Sequence, residues 1–160
     1  MRDVKYENKK RFMTEKAEKL IVYTDGGSRG NPGPAAIGVV IKDADGRTIK
    51  SYGEAIGGKT NNEAEYTAVI FALKKIKALR GRERTKNIHI EFRMDSQLVM
   101  RQLNGEYKIE EERLFPLFIA IWNLRMDFGR MSFHHIPREK NREADRMVNE
   151  ALDKKQAELF

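Results

Sequence analysis

The sequence contains no cysteine, which excludes disulfides, zinc–thiolate centres and thiol nucleophiles and leaves oxygen and imidazole as the metal donors. No apolar run approaches the roughly 18 residues of a membrane span, and the first residues, MRDVKYENKKRF, lack the apolar core of a signal peptide. A soluble, cytoplasmic protein with no membrane partner is the expectation. Internal repeats and low-complexity segments are absent as well. The histidines, His89, His134 and His135, lack the helical i, i+4 spacing of a zinc protease. The glycine-rich stretch after Asp25 does not end in Gly-Lys-Ser/Thr and no helical pattern follows it, so it is not a P-loop. Asp25 is followed by Gly-Gly-Ser, without the acid two residues on that an aspartyl-phosphate enzyme would use.

What the sequence has in excess is positive charge. A formal net charge of +7 and a pI near 9.6 favour a polyanionic partner, because phosphate neutralisation and counterion release supply most non-specific nucleic-acid affinity. On a basic chain, acids gathered in one place point to a metal site. The 160 residues fit one domain able to bury roughly 70% of its unfolded surface. Residues 1–19 carry seven Lys/Arg against four Asp/Glu and read as a basic extension, flexible or loosely helical. The domain is expected over 20–155, with 156–160 as a tail.

From Leu20 the hydrophobic pattern is dense. It predicts strands over 20–25, 35–43 and 48–56, with Asp45-Gly46 as a hairpin turn between the second and third. Thr60-Asn61-Asn62 caps a helix to about Leu79, where Lys74, Lys75, Lys77 and Arg80 meet the negative end of the dipole. A strand follows over 87–94, then a short helix from Asp95-Ser96 to Leu103, a helix over 110–128, a strand over 131–136 and a last helix from Asn141 to about Leu152. The order βββ-α-β-α-α-β-α implies an α/β fold. Its five-stranded mixed sheet joins an antiparallel meander of strands 1–3 to parallel strands, with helices on both faces.

Four carboxylates stand out. Asp25 and Asp95 close strands, where open α/β sheets place ligands. Steps of four, seven, eleven and fourteen from Glu65 reach Val69, Ala72, Ile76 and Leu79, so Glu65 shares the sheet-facing stripe of its helix, whereas Glu63 lies on the wet side with Thr67, Ile70, Lys74 and Lys77. Asp145 shares a stripe with Val148 and Leu152 and should face inward too. Like charges about 4 Å apart repel by roughly 4 kcal/mol at an effective dielectric of 20, so such a cluster either protonates or holds cations. Hard divalent ions suit all-oxygen ligands, Mg²⁺ first, and two of them can activate water and stabilise the leaving oxygen of a phosphodiester.

The blocks TDGGSRGNPGPAAIG, TNNEAEYTAVIFAL, MDSQLVMRQLNG and HHIPREKNREADRMVNEA, in this order, resemble the four motif blocks of type 1 ribonuclease H, particularly its short prokaryotic branch. The similarity covers about residues 20–153. It implies the ribonuclease H-like fold and a two-metal endonuclease that cuts the RNA strand of an RNA–DNA hybrid, leaving 5′-phosphate and 3′-hydroxyl ends. It places the family's catalytic, metal-binding acids on Asp25, Glu65, Asp95 and Asp145, with two Mg²⁺ ions per site and Mn²⁺ as a substitute. Asn31, Asn61, Asn62 and Gln97 resemble its minor-groove and 2′-hydroxyl contacts, Thr60 its phosphate contact, and Gly26 and Gly27 border the substrate. Amides can donate to and accept from a 2′-OH, which the wide minor groove of an A-like duplex exposes. No obligate protein partner is implied, and a monomer is expected.

Two departures from the family pattern matter. Its loop histidine corresponds to His135 by ungapped counting, but His135 lies in a strand pattern, and Arg138 is better placed in the loop. An arginine cannot shuttle protons at neutral pH, so its part would be phosphate or leaving-group stabilisation. The basic, tryptophan-rich protrusion of some members is missing, QLNGEYKIEEERL being locally acidic. Substrate grip could fall to KKIKALRGRERTK (74–86), with seven positive charges to one negative, although a solvated helix end fits that run equally. The competing readings are a non-catalytic hybrid-binding module on the same fold and a nuclease that also cuts double-stranded RNA.

Overall fold

A computed structural model describes residues 17–159. The basic extension expected at the N-terminus lies, apart from its last residues, outside the described residues. Three long strands, β1 (Glu18–Ser28), β2 (Gly33–Asp43) and β3 (Thr48–Lys59), form the meander, and β4 (Ile88–Met94) and β5 (Arg130–His135) complete one sheet of order β3-β2-β1-β4-β5. β1 pairs antiparallel with β2, and β2 with β3, while β4 runs parallel to β1 and β5 parallel to β4. The helices are α1 (Asn61–Arg80), α2 (Arg82–Thr85), α3 (Gln97–Leu103), α4 (Phe115–Arg125) and α5 (Arg142–Glu158).

Side-chain alternation along the strands divides the molecule into two layers around the sheet. Leu20, Val22, Ile37, Val39, Ile41, Ile90 and Phe92 face α1, whose Val69, Ala72, Leu73 and Ile76 complete the main core. Phe92 stacks on Phe133 with ring centroids 5.2 Å apart. The opposite face carries α5, where Val148 and Leu152 pack on Ala36. The inward stripe of α1 therefore runs as its periodicity predicts as far as Ile76, and only Leu79, 39% exposed, leaves it.

Several boundaries differ from the sequence expectation. β1 does not stop at Asp25: it continues to Ser28, pairing Asp25 with Gly38, Gly26 with Ile37 and Gly27 with Ala36, although its parallel pairing with β4 ends at Tyr23. The glycines after Asp25 are thus strand residues, and only 29–32 make the turn. The helix expected over 110–128 is a 3₁₀ turn (Glu112–Leu114) followed by α4. Pro116, in the first turn of α4, fixes the start, because it has no N–H to extend a helix from the residues before it. The expected tail at 156–160 is not separate: α5 runs to Glu158, and Arg29 bonds Asp153 at 2.6 Å and Gln156 at 3.1 Å.

α5 can lie close to the sheet because Gly38 has no side chain. A Cβ there would strike the carbonyl oxygen of Ala144, a backbone atom that cannot rotate away. Gly38→Ala should cost about 1–3 kcal/mol through this overpacking, read as a lower midpoint of thermal unfolding.

Candidate metal centre

The fold brings three acids together from three elements. Asp25 lies on β1 just past the end of its pairing with β4, Asp95 follows the last residue of β4, and Glu65 sits in the second turn of α1. Their carboxylate oxygens lie within 4.8 Å of one another. Gly26 makes this approach possible: a Cβ there would collide with the backbone of Ala64 and Glu65. The fourth acid, Asp145 in the first turn of α5, stands outside that group at the mouth, 35% exposed, with a side-chain hydrogen bond to Asp25. All four line one open cleft of about 450 Å³, together with Gly27 and Arg138.

The electrostatics follow from burial. Asp25 and Glu65 are only 6% and 9% exposed. Burial, then the charges of Asp95 and Asp145 and a hydrogen bond with Asp145, push Asp25 from an ordinary 3.8 up to about 8, against the Gly26 N–H, which favours its anion. Glu65 is raised well above the usual range, by burial first and then by Asp25 and Asp95. Burial also raises Asp95, opposed by Arg138 and His135 and reinforced by Asp145. A group of carboxylates whose affinity for protons is raised by its own members is a group that a divalent cation would relieve, and hard oxygen donors fit such a cation.

Arg138 and His135 both act on Asp95 but are placed differently. His135 is the last residue of β5, as its strand pattern predicts, whereas Arg138 lies in a 3₁₀ turn (Arg138–Lys140), lines the cleft and reaches within 3.9 Å of Asp145.

The polar residues anticipated near the acids cluster at the start of α1. Thr60 is its N-cap, with Oγ1 accepting from Glu63 N at 3.2 Å while Glu63 Oε1 accepts from Thr60 N at 3.1 Å. Asn61 Oδ1 accepts from the Ser28 backbone at 2.9 Å, and Asn31 Oδ1 accepts from Asn61 N at 3.0 Å. Both amides use their oxygens to join the end of β1 and the 29–32 turn to the start of α1. Asn62 Nδ2 donates to Glu111 Oε1 at 2.9 Å. Gln97 opens α3 and is exposed.

Sequence reasoning overlooked three residues. Glu63 is not simply on the wet side; it closes a capping box, a role its Thr-x-x-Glu spacing signals. Asn141 is fully buried, and its Nδ2 bonds Thr24 O at 2.9 Å, tying the start of α5 to the residue before Asp25. Arg29 lines the cleft, held by Asp153; nothing local in the sequence announces that partner. The basic run 74–86 begins in the far half of α1, roughly 20 Å from the helix start at 1.5 Å per residue, and continues past its end. There Lys77 pairs with Asp127 at 2.6 Å and Arg80 with Glu18 at 2.9 Å, so the run does not border the cleft.

Comparison with known proteins agrees with this geometry. Residues 23–151 match the family described as Reverse transcriptase-like. A ribonuclease HI of Halobacterium salinarum is 40% identical over 139 residues, 87% of this chain and 67% of that protein. A bifunctional protein of Mycobacterium tuberculosis is 38% identical over 136 residues, covering 84% of this chain; the chain spans only 36% of that relative's length. Among solved structures, LC11 ribonuclease H1 in complex with an RNA/DNA hybrid superposes with a TM-score of 0.82 at 47% identity, covering 86% of this chain and 99% of that one.

Two measurements test the centre. Because Asp25 binds its proton more tightly folded than unfolded, metal-free protein should lose the cluster's stabilising contribution as pH rises from about 4 through about 8. Thermal unfolding in chelator should show that slope, Asp25→Asn should flatten it, and millimolar Mg²⁺ should raise the midpoint most at the alkaline end. Glu63→Gln, which keeps an acceptor in the capping box, should leave activity nearly unchanged in a turnover assay; a large loss would place Glu63 among the acids that matter.

Proposed function

Because the chain belongs to the ribonuclease H family, we propose that it is a divalent-metal-dependent endoribonuclease that cuts the RNA strand of RNA–DNA hybrids, leaving 5′-phosphate and 3′-hydroxyl ends. The observation that carries this reading is the convergence of Asp25, Glu65 and Asp95 within 4.8 Å, in the cleft that Asp145 also lines, on a chain of net charge +7. A binding module would gain nothing from gathering like charges where a polyanion must lie. The likeness to an enzyme solved with RNA/DNA hybrid supports the substrate.

In this reading Asp25 and Asp95 are shared ligands, and Glu65 and Asp145 each complete one of two sites for Mg²⁺, with Mn²⁺ as a substitute. Bound cations of this kind supply an activated water and charge stabilisation for the leaving oxygen. The protein's own part is to hold the ligands still. Gly26 N–H bonds to Asp25 and to Glu65 favour their ionised forms, and the packed backbone keeps both out of bulk water. Asp145, at the mouth and near Arg138, is the acid most free to adjust.

Arg138 stabilises a phosphate oxygen or the leaving group; His135, next to Asp95, is the alternative group for proton transfer. The Nδ2 donors of Asn31, Asn61 and Asn62, with Gln97, read 2′-hydroxyls in the minor groove. Thr60 takes a phosphate at the N-terminus of α1, where the helix dipole favours anions, and Gly26 and Gly27 let the strand approach. The enzyme acts as a cytoplasmic monomer; among the described residues no helix is long and apolar enough to cross a membrane.

The test is cleavage of one end-labelled strand presented in RNA–DNA hybrid, RNA duplex and DNA duplex, with Mg²⁺, Mn²⁺ or chelator. RNA in the hybrid should be cut in a metal-dependent way, and the RNA duplex lane reports whether the 2′-OH contacts alone select the substrate. Asp95→Asn should abolish turnover while folding and hybrid binding persist. Retained turnover would overturn the two-metal assignment, and tight binding without cleavage under either metal would make the protein a binding module.

A further inference from the structure

Glu111 holds a position that the proposed reaction does not explain. The connection from α3 to α4 carries Glu106, Glu110, Glu111 and Glu112 on an otherwise basic chain, and it is pinned to the core: Leu114 is fully buried and Ile109 packs against the main cluster. Glu111 itself is exposed and opens the 3₁₀ turn, its carbonyl accepting from Leu114 N at 3.0 Å. Its carboxylate reaches across to α1, where Oε1 accepts from Asn62 Nδ2 at 2.9 Å, and its charge is felt by the Tyr66 hydroxyl one turn further along the helix. The first turn of a 20-residue helix is where an anion is favoured by the dipole. An anchored carboxylate already occupies that position and engages a donor assigned to the substrate.

We propose that Glu111 is a tethered competitor for the nucleic acid at the start of α1, a positioning residue that acts through Asn62. In the free protein it holds the Asn62 amide; the incoming strand must displace it and come to rest beside its charge. Glu111 thereby weakens the grip on hybrid and sets KM rather than the chemistry. This rests on the reading of Asn62 as a substrate contact. A merely structural strap between the 104–114 connection and α1 predicts the opposite sign, since cutting it would loosen the substrate face.

The experiment compares wild type, Glu111→Ala, Glu111→Gln, Glu111→Asp and Asn62→Ala by KM and kcat on hybrid, and by anisotropy of a labelled hybrid in chelator, which needs no turnover. Thermal unfolding of each variant checks that it is folded. Glu111→Ala and Glu111→Gln should lower both KM and the chelator Kd about three- to tenfold, the effect of removing one negative charge beside a polyanion. They should also steepen the salt dependence of binding. Glu111→Asp should restore values near wild type, and Asn62→Ala should raise both constants. If Asn62→Ala weakens binding but neither Glu111→Ala nor Glu111→Gln tightens it, the inference falls and the proposed function stands. If Asn62→Ala leaves binding unchanged, the substrate role of Asn62 falls and the inference with it. Tighter binding of the Glu111 variants in a protein that cuts nothing would uphold the inference and overturn the nuclease reading.

Discussion

Mutual repulsion among the buried carboxylates Asp25, Glu65 and Asp95 is the constraint that the rest of the molecule has to satisfy. Left to themselves, such groups would separate or turn to water; here they stay within 4.8 Å of one another, with Asp25 and Glu65 almost wholly buried. Each is fixed to an element that is itself locked. Asp25 is in the central strand of the sheet, Glu65 on the helix that forms the main core, and Asp95 directly after a strand paired on both sides. Moving any one acid out would require sliding a whole packed element, so burial first, and neighbouring charge second, appear as raised proton affinity instead of as disorder. That raised affinity is the physical reason a divalent cation suits the place.

The scaffold achieves this by close backbone contact more than by added side-chain interactions. Gly26 admits α1 to β1 at the height of Glu65, and Gly38 admits α5 to β2 beside Ala144. Asn141, fully buried, ties the start of α5 to Thr24. Two helices on opposite faces of one sheet are thereby registered against the same short length of β1. Asp145, on the second of them, remains half-exposed and pairs loosely with Arg138 at 3.9 Å. The centre thus has a rigid inner part and an adjustable outer acid.

Charge is distributed by location. In the strongly basic run at the end of α1, Lys77 pairs with Asp127, and Arg80 and Arg84 with Glu18, far from the cleft. Around the cleft the cations are fewer, Arg29 and Arg138, and polar amides at the start of α1 supply most of the remaining donors. An acidic connection runs beside them, with Glu111 on Asn62. A substrate would therefore be held by oriented hydrogen bonds and bound cations more than by a broad positive field. Such binding depends on the shape and hydroxyls of the duplex, whereas phosphate attraction alone is blind to them.

Much of this was legible in the chain itself. Helical periodicity put Glu65 inward and Asp145 on the Val148 stripe because a helix repeats every 3.6 residues whatever surrounds it, and two-residue alternation with turn signals gave all five strands. Local rules were weaker at boundaries. β1 outran Asp25 because β2 continued to pair with it after β4 had ended, and the helix after the acidic connection began only at Phe115, next to Pro116; both outcomes depend on neighbours or on a single residue's missing N–H. The sequence by itself determined that Glu65 faces inward and which elements carry the four acids, since those follow from short-range geometry. Only the tertiary structure decided that three of the four meet while Asp145 stays at the mouth, that Lys77 and Arg80 of the basic run find distant partners, and that Glu111 lies on Asn62. These pairings join residues tens of positions apart, and nothing but the packing of the sheet and its helices sets the distances between them.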